Sequence, residues 1–181
     1  EVLPRDGFFV EEICQAGFTS YFGFPVYLPR TFVSCGHQGT LGFGFPTALG
    51  VKVGNPGKAV VSIAGDGGFM FGVQDLATAV QYGIEVVTVL FNNNAYGNVL
   101  RDQQRLFDGR LIGSELRNPD FVKLAESFGV AGARVSTPEQ LKAELDRALA
   151  RDAPALIEVT VDRRSEVSPW EFLMPASRPS R

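Results

Sequence analysis

The chain has 181 residues, 45% of them apolar and 20% charged, the balance of one globular domain with a full hydrophobic core. Its net charge of −3 leaves no broad basic surface, which argues against nucleic acid or an anionic membrane as partner. No apolar run is long enough to span a bilayer and no signal peptide is visible; Cys14 and Cys35 sit in or beside apolar runs and read as reduced and structural, so the expected compartment is the cytoplasm.

Residues 1–6 are polar and read as a linker. A short strand is predicted at 8–10, a helix at 13–22, a loop at 23–29 and a strand at 31–34 that delivers Cys35-Gly36-His37-Gln38-Gly39. The small, apolar stretch 42–53 predicts a buried helix with Pro46 in its first turn, and Asn55-Pro56-Gly57 a turn. Strand 60–64 ends in the glycine turn Gly65-Asp66-Gly67-Gly68; an amphipathic helix at 73–82 and a strand at 86–91 follow, the latter ending in Asn92-Asn93-Asn94. After a helix at 99–107, Asn118-Pro119 reads as N-cap and first position of a helix whose apolar residues Phe121, Leu124, Ala125 and Phe128 share one face and which Gly129 stops. A strand at 130–135, a helix opened by Thr137-Pro138 and striped by Leu141, Leu145, Ala148 and Leu149, and a strand at 155–161 complete the pattern. Residues 162–181 read as a polar tail in which Trp170-Glu171-Phe172-Leu173 docks on a neighbour, and the fifteen phenylalanines are enough to cover an interface as well as a core. Alternating strands and helices with near-continuous apolar strands predict a single α/β domain over 1–181: a doubly wound, mostly parallel sheet with helices on both faces.

In such a sheet ligands sit outside the carboxyl ends of the strands, so Asp66 and Asn93 are expected at one crevice although 27 positions (93 − 66) separate them. Glycine amides and the N-terminus of the helix after them would cradle an anion, and the two oxygen-bearing side chains suit a hard cation such as magnesium. Together they indicate a metal-bridged diphosphate. The plain reading, Gly65-Asp66-Gly67 as a tight turn with Asp66 as helix N-cap, does not account for the asparagines after the next strand. A dinucleotide fingerprint fails, because Met70 stands where the third glycine is needed and asparagine rather than an acid ends the next strand. The 54–58 stretch has the wrong glycine spacing for a phosphate loop, with Ala59 in place of the hydroxyl. Two cysteines cannot hold an iron–sulfur cluster.

Gly65-Asp66-Gly67, with Asn92-Asn93 ending the next strand, resembles the thiamine diphosphate (TPP) motif of the acetolactate synthase and benzoylformate decarboxylase group. The upstream Gly39-Thr40-Leu41-Gly42-Phe43-Gly44-Phe45-Pro46 is similar to the segment that faces the cofactor's aminopyrimidine. The resemblance covers nearly the whole chain, as the C-terminal, diphosphate-binding domain of that group. It implies magnesium ligation by Asp66, Asn93 and the carbonyl of Ala95, and a cofactor lined by Gly65, Gly67, Gly68, Phe69, Tyr96, Gly97, Asn98 and Thr40. It also implies that the Gly39 carbonyl accepts the 4′-amino proton, that Leu41 wedges the cofactor into its bent form and that Gly97 gives its amide to the diphosphate. Tyr96 either packs over the cofactor or fills core. His37, the single histidine, either relays a proton or binds a carboxylate beside Gly39, or makes a structural hydrogen bond. Gln15 is placed near the diphosphate, although Ala16 follows where the family often has histidine. Arg101, Asp102 and Arg105 read as a solvated or interface face.

The implied activity is decarboxylation or carboligation of 2-oxo acids, lyase or transferase chemistry. In the family a glutamate on a separate N-terminal, pyrimidine-side domain, usually from a partner subunit of a homodimer or homotetramer, completes the site. That domain is not in this sequence, so the chain is expected to be inactive alone, as a fragment or a split-chain subunit; a non-catalytic assembly or cofactor-sensing module is the reading from a different class. Stretch 98–104 lacks the tryptophan that acetolactate synthases carry there, and FAD is possible only through a middle domain outside this sequence.

Overall fold

The computed structural model describes residues 1–36, 38–164, 166–167 and 169. Thirteen elements run in the order β1 (Phe8–Val10), α1 (Gln15–Gly23), β2 (Phe32–Val33), α2 (Gly44–Gly54), β3 (Val60–Gly65), α3 (Asp66–Phe69), α4 (Asp75–Gln81), β4 (Val87–Asn92), α5 (Gly97–Leu106), α6 (Phe121–Ser127), β5 (Ala131–Val135), α7 (Pro138–Leu149) and β6 (Ala155–Thr160). The six strands form one sheet of order β2-β1-β3-β4-β6-β5 in which every pairing is parallel. The expected α/β architecture is therefore found, with the chain turning back on itself at the β1/β3 junction.

Successive side chains of a strand point to opposite faces, and the core divides accordingly. Val60, Ala64, Leu90 and Leu156 face α2, α4 and α6, whose Phe45, Leu49, Leu76, Phe121 and Ala125 complete one layer. Val61, Ile63, Val89 and Ile157 face the other way, onto Ala16 of α1 and Leu141, Leu145 and Ala148 of α7. The predicted α7 stripe is the one buried, and Thr137 caps that helix, its side chain accepting from the Gln140 amide. Gly129 ends α6 with φ +85, a conformation that costs glycine nothing.

Two local expectations are corrected. The 65–68 stretch is not an open turn running into one helix. Asp66–Phe69 forms a single helical turn of its own, and the next helix, α4, begins only at Asp75. The Gly67 and Gly68 backbones are packed too closely to bulge outward, since a Cβ on Gly67 would run into the Tyr96 ring and one on Gly68 into the Glu12 carboxylate. Asn118 is not a helix cap. Asp120 caps α6, its carboxylate accepting from the Lys123 amide, which frees Asn118 for a different partner.

Candidate functional site

Because all strands are parallel, the carboxyl ends of β1, β3 and β4 open on one side, and a cavity of 760 Å³ lies there. Gly65, Asp66, Gly67 and Gly68 line it from the end of β3 and Asn93, Ala95, Tyr96, Gly97 and Asn98 from the end of β4, with Leu41 beside Gly68. The cavity continues as an apolar slot along the second face of the sheet, past Ile63, Val89 and Leu145. The two loop tips that the sequence separates by 27 positions thus share one crevice, as expected.

Asp66 is 3% exposed. Burial pushes its pKa up, while the Asn118 amide and the backbone amides of Gly67, Asn94 and Ala95 hold it down. Among the described residues no lysine or arginine forms an ion pair with it. A carboxylate out of water with hydrogen-bond donors but no cation is what a metal-binding corner requires.

Its orientation comes from a chain of hydrogen bonds running in from the sheet edge. Arg134 of β5 donates to Glu158 of β6 (2.7 Å). Asn92, ending β4, donates to the same Glu158 (2.7 Å) and accepts from Asn118 (2.9 Å). Asn118 in turn donates to Asp66 (2.6 Å). Glu158 is 2% exposed, the lone charged residue of β6 and flanked by apolar Ile157 and Val159. Asn93 Oδ1 accepts from the Ala95 amide (3.0 Å), and Asn93 Nδ2 donates to Glu166 (2.7 Å), whose pKa burial raises.

The glycines serve close approach. A Cβ on Gly97 would stand 2.8 Å from Asn93 Nδ2, so α5 begins tight against that side chain. With Gly97 and Asn98 on the cavity wall, the N-terminus of the ten-residue α5, and not that of α4, supplies the helix amides on this side. The helix ends that meet the cavity are therefore those of α3 and α5, in place of the helix expected after the glycines. Tyr96 lies on Gly67 at the cavity wall.

The remaining expected residues divide. Gly39 has φ +60 and packs on Ile13, a cavity residue, but Gly39 and exposed Thr40 are not themselves on the wall. Phe69 is turned away: its ring is 1% exposed and packs between Phe45 (5.4 Å between centroids) and Phe121 (6.1 Å) in the opposite core. Gln15 lines the cavity, and its buried Oε1 has no hydrogen-bond partner. Cys14 caps α1, and burial pushes its thiol up to about 12, in keeping with an inert, reduced cysteine. His37 and Trp170-Glu171-Phe172-Leu173 lie outside the described residues.

Sequence reading missed Asn118, Glu158, Glu166 and the buried pair Glu11 and Glu12. For Glu158 a signal existed, a charge inside an apolar strand, which only a partner makes tolerable.

Comparison with known proteins agrees with this geometry. The family described as thiamine pyrophosphate enzyme, C-terminal TPP binding domain, matches residues 13–159. An acetolactate synthase large subunit of Haemophilus influenzae is 39% identical over 82% of this chain and 26% of its own length. A probable acetolactate synthase large subunit of Methanocaldococcus jannaschii is 42% identical over 77% of this chain and 24% of its own. A solved structure, the thiamine diphosphate-dependent 4-hydroxybenzoylformate decarboxylase of Rhodococcus jostii, superposes with a TM-score of 0.82 and 34% identity over 89% of this chain and 30% of that one. The chain spans between 24% and 30% of the length of these proteins. A sheet of this order, an acid and an amide meeting at its carboxyl edge, and a family match running through both place the chain in the thiamine pyrophosphate enzyme family, as a C-terminal TPP-binding domain.

Proposed function

We propose that this domain binds the diphosphate end of thiamine diphosphate through a magnesium ion held by Asp66, Asn93 and the carbonyl of Ala95. The observation that supports it most is Asp66, a buried carboxylate oriented by four donors, with no cation paired to it among the described residues, facing Asn93 across one cavity. The donors are hard oxygens, and among the described residues no cluster of His, Cys, Asp and Glu offers a softer site. Gly67, Gly68 and the Gly97 end of α5 present backbone amides to the diphosphate, and the Gln15 side chain on the same cavity adds an NH2 donor. Leu41, on the cavity wall beside Gly68, is the wedge for the cofactor, with the Gly39 carbonyl as acceptor for the pyrimidine amine; Phe69 contributes through core packing instead of contact.

When bound, thiamine diphosphate supplies the nucleophilic carbon that attacks a 2-oxo acid. This chain's own share is to fix the diphosphate, bend the cofactor and accept a proton at Gly39. The pyrimidine-side domain and its glutamate come from elsewhere in the polypeptide or from a partner subunit, in a homodimer or homotetramer. The exposed Phe22, Tyr27, Leu28 and Phe71 favour such an interface. The substrate is a 2-oxo acid, with decarboxylation, carboligation or both as outcome. No described helix is long and apolar enough to cross a membrane.

Isothermal titration of magnesium and thiamine diphosphate into the assembled enzyme tests the reading. Asp66→Ala should abolish magnesium-dependent binding, and an unchanged affinity would remove Asp66 from the ligand set. The chain alone should bind weakly and turn over no pyruvate or benzoylformate.

A further inference from the structure

Two consecutive carboxylates at the end of β1, Glu11 and Glu12, are both 0% exposed. Burying one carboxylate is costly and burying neighbours is more so. Among the described residues neither has an ion-pair partner. Both instead accept hydrogen bonds from backbone amides, and all of those amides belong to one strip of chain. Glu12 takes the Gly42 amide on Oε1 (3.0 Å) and the Gly44 amide on Oε2 (2.9 Å). Glu11 Oε1 takes the Cys35 amide (3.1 Å) together with the Tyr21 hydroxyl (2.6 Å). The strip held at Cys35 on one side and at Gly42 and Gly44 on the other carries Gly39, Thr40 and Leu41. The third neighbour of Glu12 is the opposite wall of the cavity, since a Cβ on Gly68 would run into Glu12 Oε1. One side chain therefore touches both the strip that bears Leu41 and the turn that bears Asp66.

We propose that Glu11 and Glu12 are positioning residues, a carboxylate clamp that fixes the Leu41 strip against the Asp66 turn and so sets the gap across which the cofactor is bent. The proposal rests on the TPP reading of the cavity. A carboxylate is needed at Glu12 because both of its oxygens face N–H groups; an amide of the same shape would turn its NH2 against one of them. Neither residue lines the cavity itself, so the clamp acts through the strip and through the Gly68 backbone behind the wall.

The test uses Glu12→Gln in two settings. In this chain alone, NMR hydrogen exchange should show the Gly42 or Gly44 amide exchanging about tenfold or more faster, from the loss of one hydrogen bond to a charged acceptor, with the β3 and β4 amides unchanged. In the assembled enzyme, affinity for thiamine diphosphate should fall about tenfold while affinity for magnesium pyrophosphate, which needs only the Asp66 side, stays within twofold of wild type. Equal losses for both ligands, or none for either, would overturn the clamp, as would unchanged amide exchange. Should Glu12→Gln not fold, Glu11→Leu, which removes the acceptor of the Cys35 amide and the Tyr21 hydroxyl, carries the same comparison with the Cys35 amide as the exchange reporter. If the wild-type enzyme binds neither ligand, the TPP reading fails, and the exchange result still decides whether the clamp exists.

Discussion

Removing the Asn118 side chain tests the site at a residue without charge and outside the expected ligand set. Its amide nitrogen lies 2.6 Å from Asp66, 2.9 Å from Asn92 and 3.4 Å from Asn94. An NH2 group has two protons, so the first two are the bonds that count. Asn118→Ala deletes one bond to a charged acceptor, worth about 1.5–3 kcal/mol, and one neutral bond, about 0.5–1.5 kcal/mol. Asn118 is only partly buried, so water replaces part of both and the net loss should be about 1–2 kcal/mol. In a domain of this size that lowers Tm by about 2–8 °C. The larger effect is on the metal: a freed Asp66 carboxylate should bind magnesium about 10–100-fold more weakly, the usual cost of losing a partner that orients a ligand. Titration of magnesium into the assembled enzyme at saturating cofactor reads this directly. Asn118→Asp sharpens the test, because it sets a second carboxylate against Asp66 and the destabilisation should then be relieved by magnesium. If Asn118→Ala leaves both Tm and magnesium affinity unchanged, Asp66 is not held from this side and the metal-side reasoning is wrong.

Other expectations follow from the same geometry. Gly68→Ala should destabilise the fold by about 1–3 kcal/mol in chemical denaturation, because its Cβ collides with Glu12. Arg134→Ala leaves the buried Glu158 one donor short and should cost about 1–3 kcal/mol, with Glu158→Gln in the same chain recovering much of it. Burial raises the Glu12 pKa above its ordinary 4.5, so the folded chain holds that proton to higher pH than the unfolded one. Stability of wild type relative to Glu12→Gln should therefore fall as pH climbs from 4.5 through the raised value, and level off above it. Denaturant melts at a series of pH values showing the opposite slope would refute the shift.

The fold was legible because its signals are local. Apolar runs end at Gly65 and at Asn92, Thr137 caps α7, and the 141–149 stripe names its own buried face. Asp66 and Asn93 were legible for the same reason, each being the polar residue at a strand's end. What stayed hidden was non-local. Asn118 precedes a proline and has the form of a cap, and nothing near it in sequence reveals a partner 52 residues away. Glu11 and Glu12 pass for the solvated end of a short strand, and only the return of the chain at Gly42 and Gly44 encloses them. The α3 turn was misread because glycines favour open loops in isolation, whereas here they adopt a helical turn so that Glu12 and Tyr96 can press against bare backbone.

Strand β5 lies at the margin of the sheet, where a domain ordinarily tolerates drift. Here Arg134 on that strand anchors a row of hydrogen bonds that ends at Asp66, four side chains inward. Asn92 gives to Glu158 and takes from Asn118, and Asn118 gives to both Asn92 and Asp66, so neither amide can reverse without breaking its neighbour. The periphery and the Asp66 corner must consequently change together: a lineage that loses Arg134 should also neutralise Glu158, and one that keeps Glu158 inherits a constraint on a surface position away from the cavity.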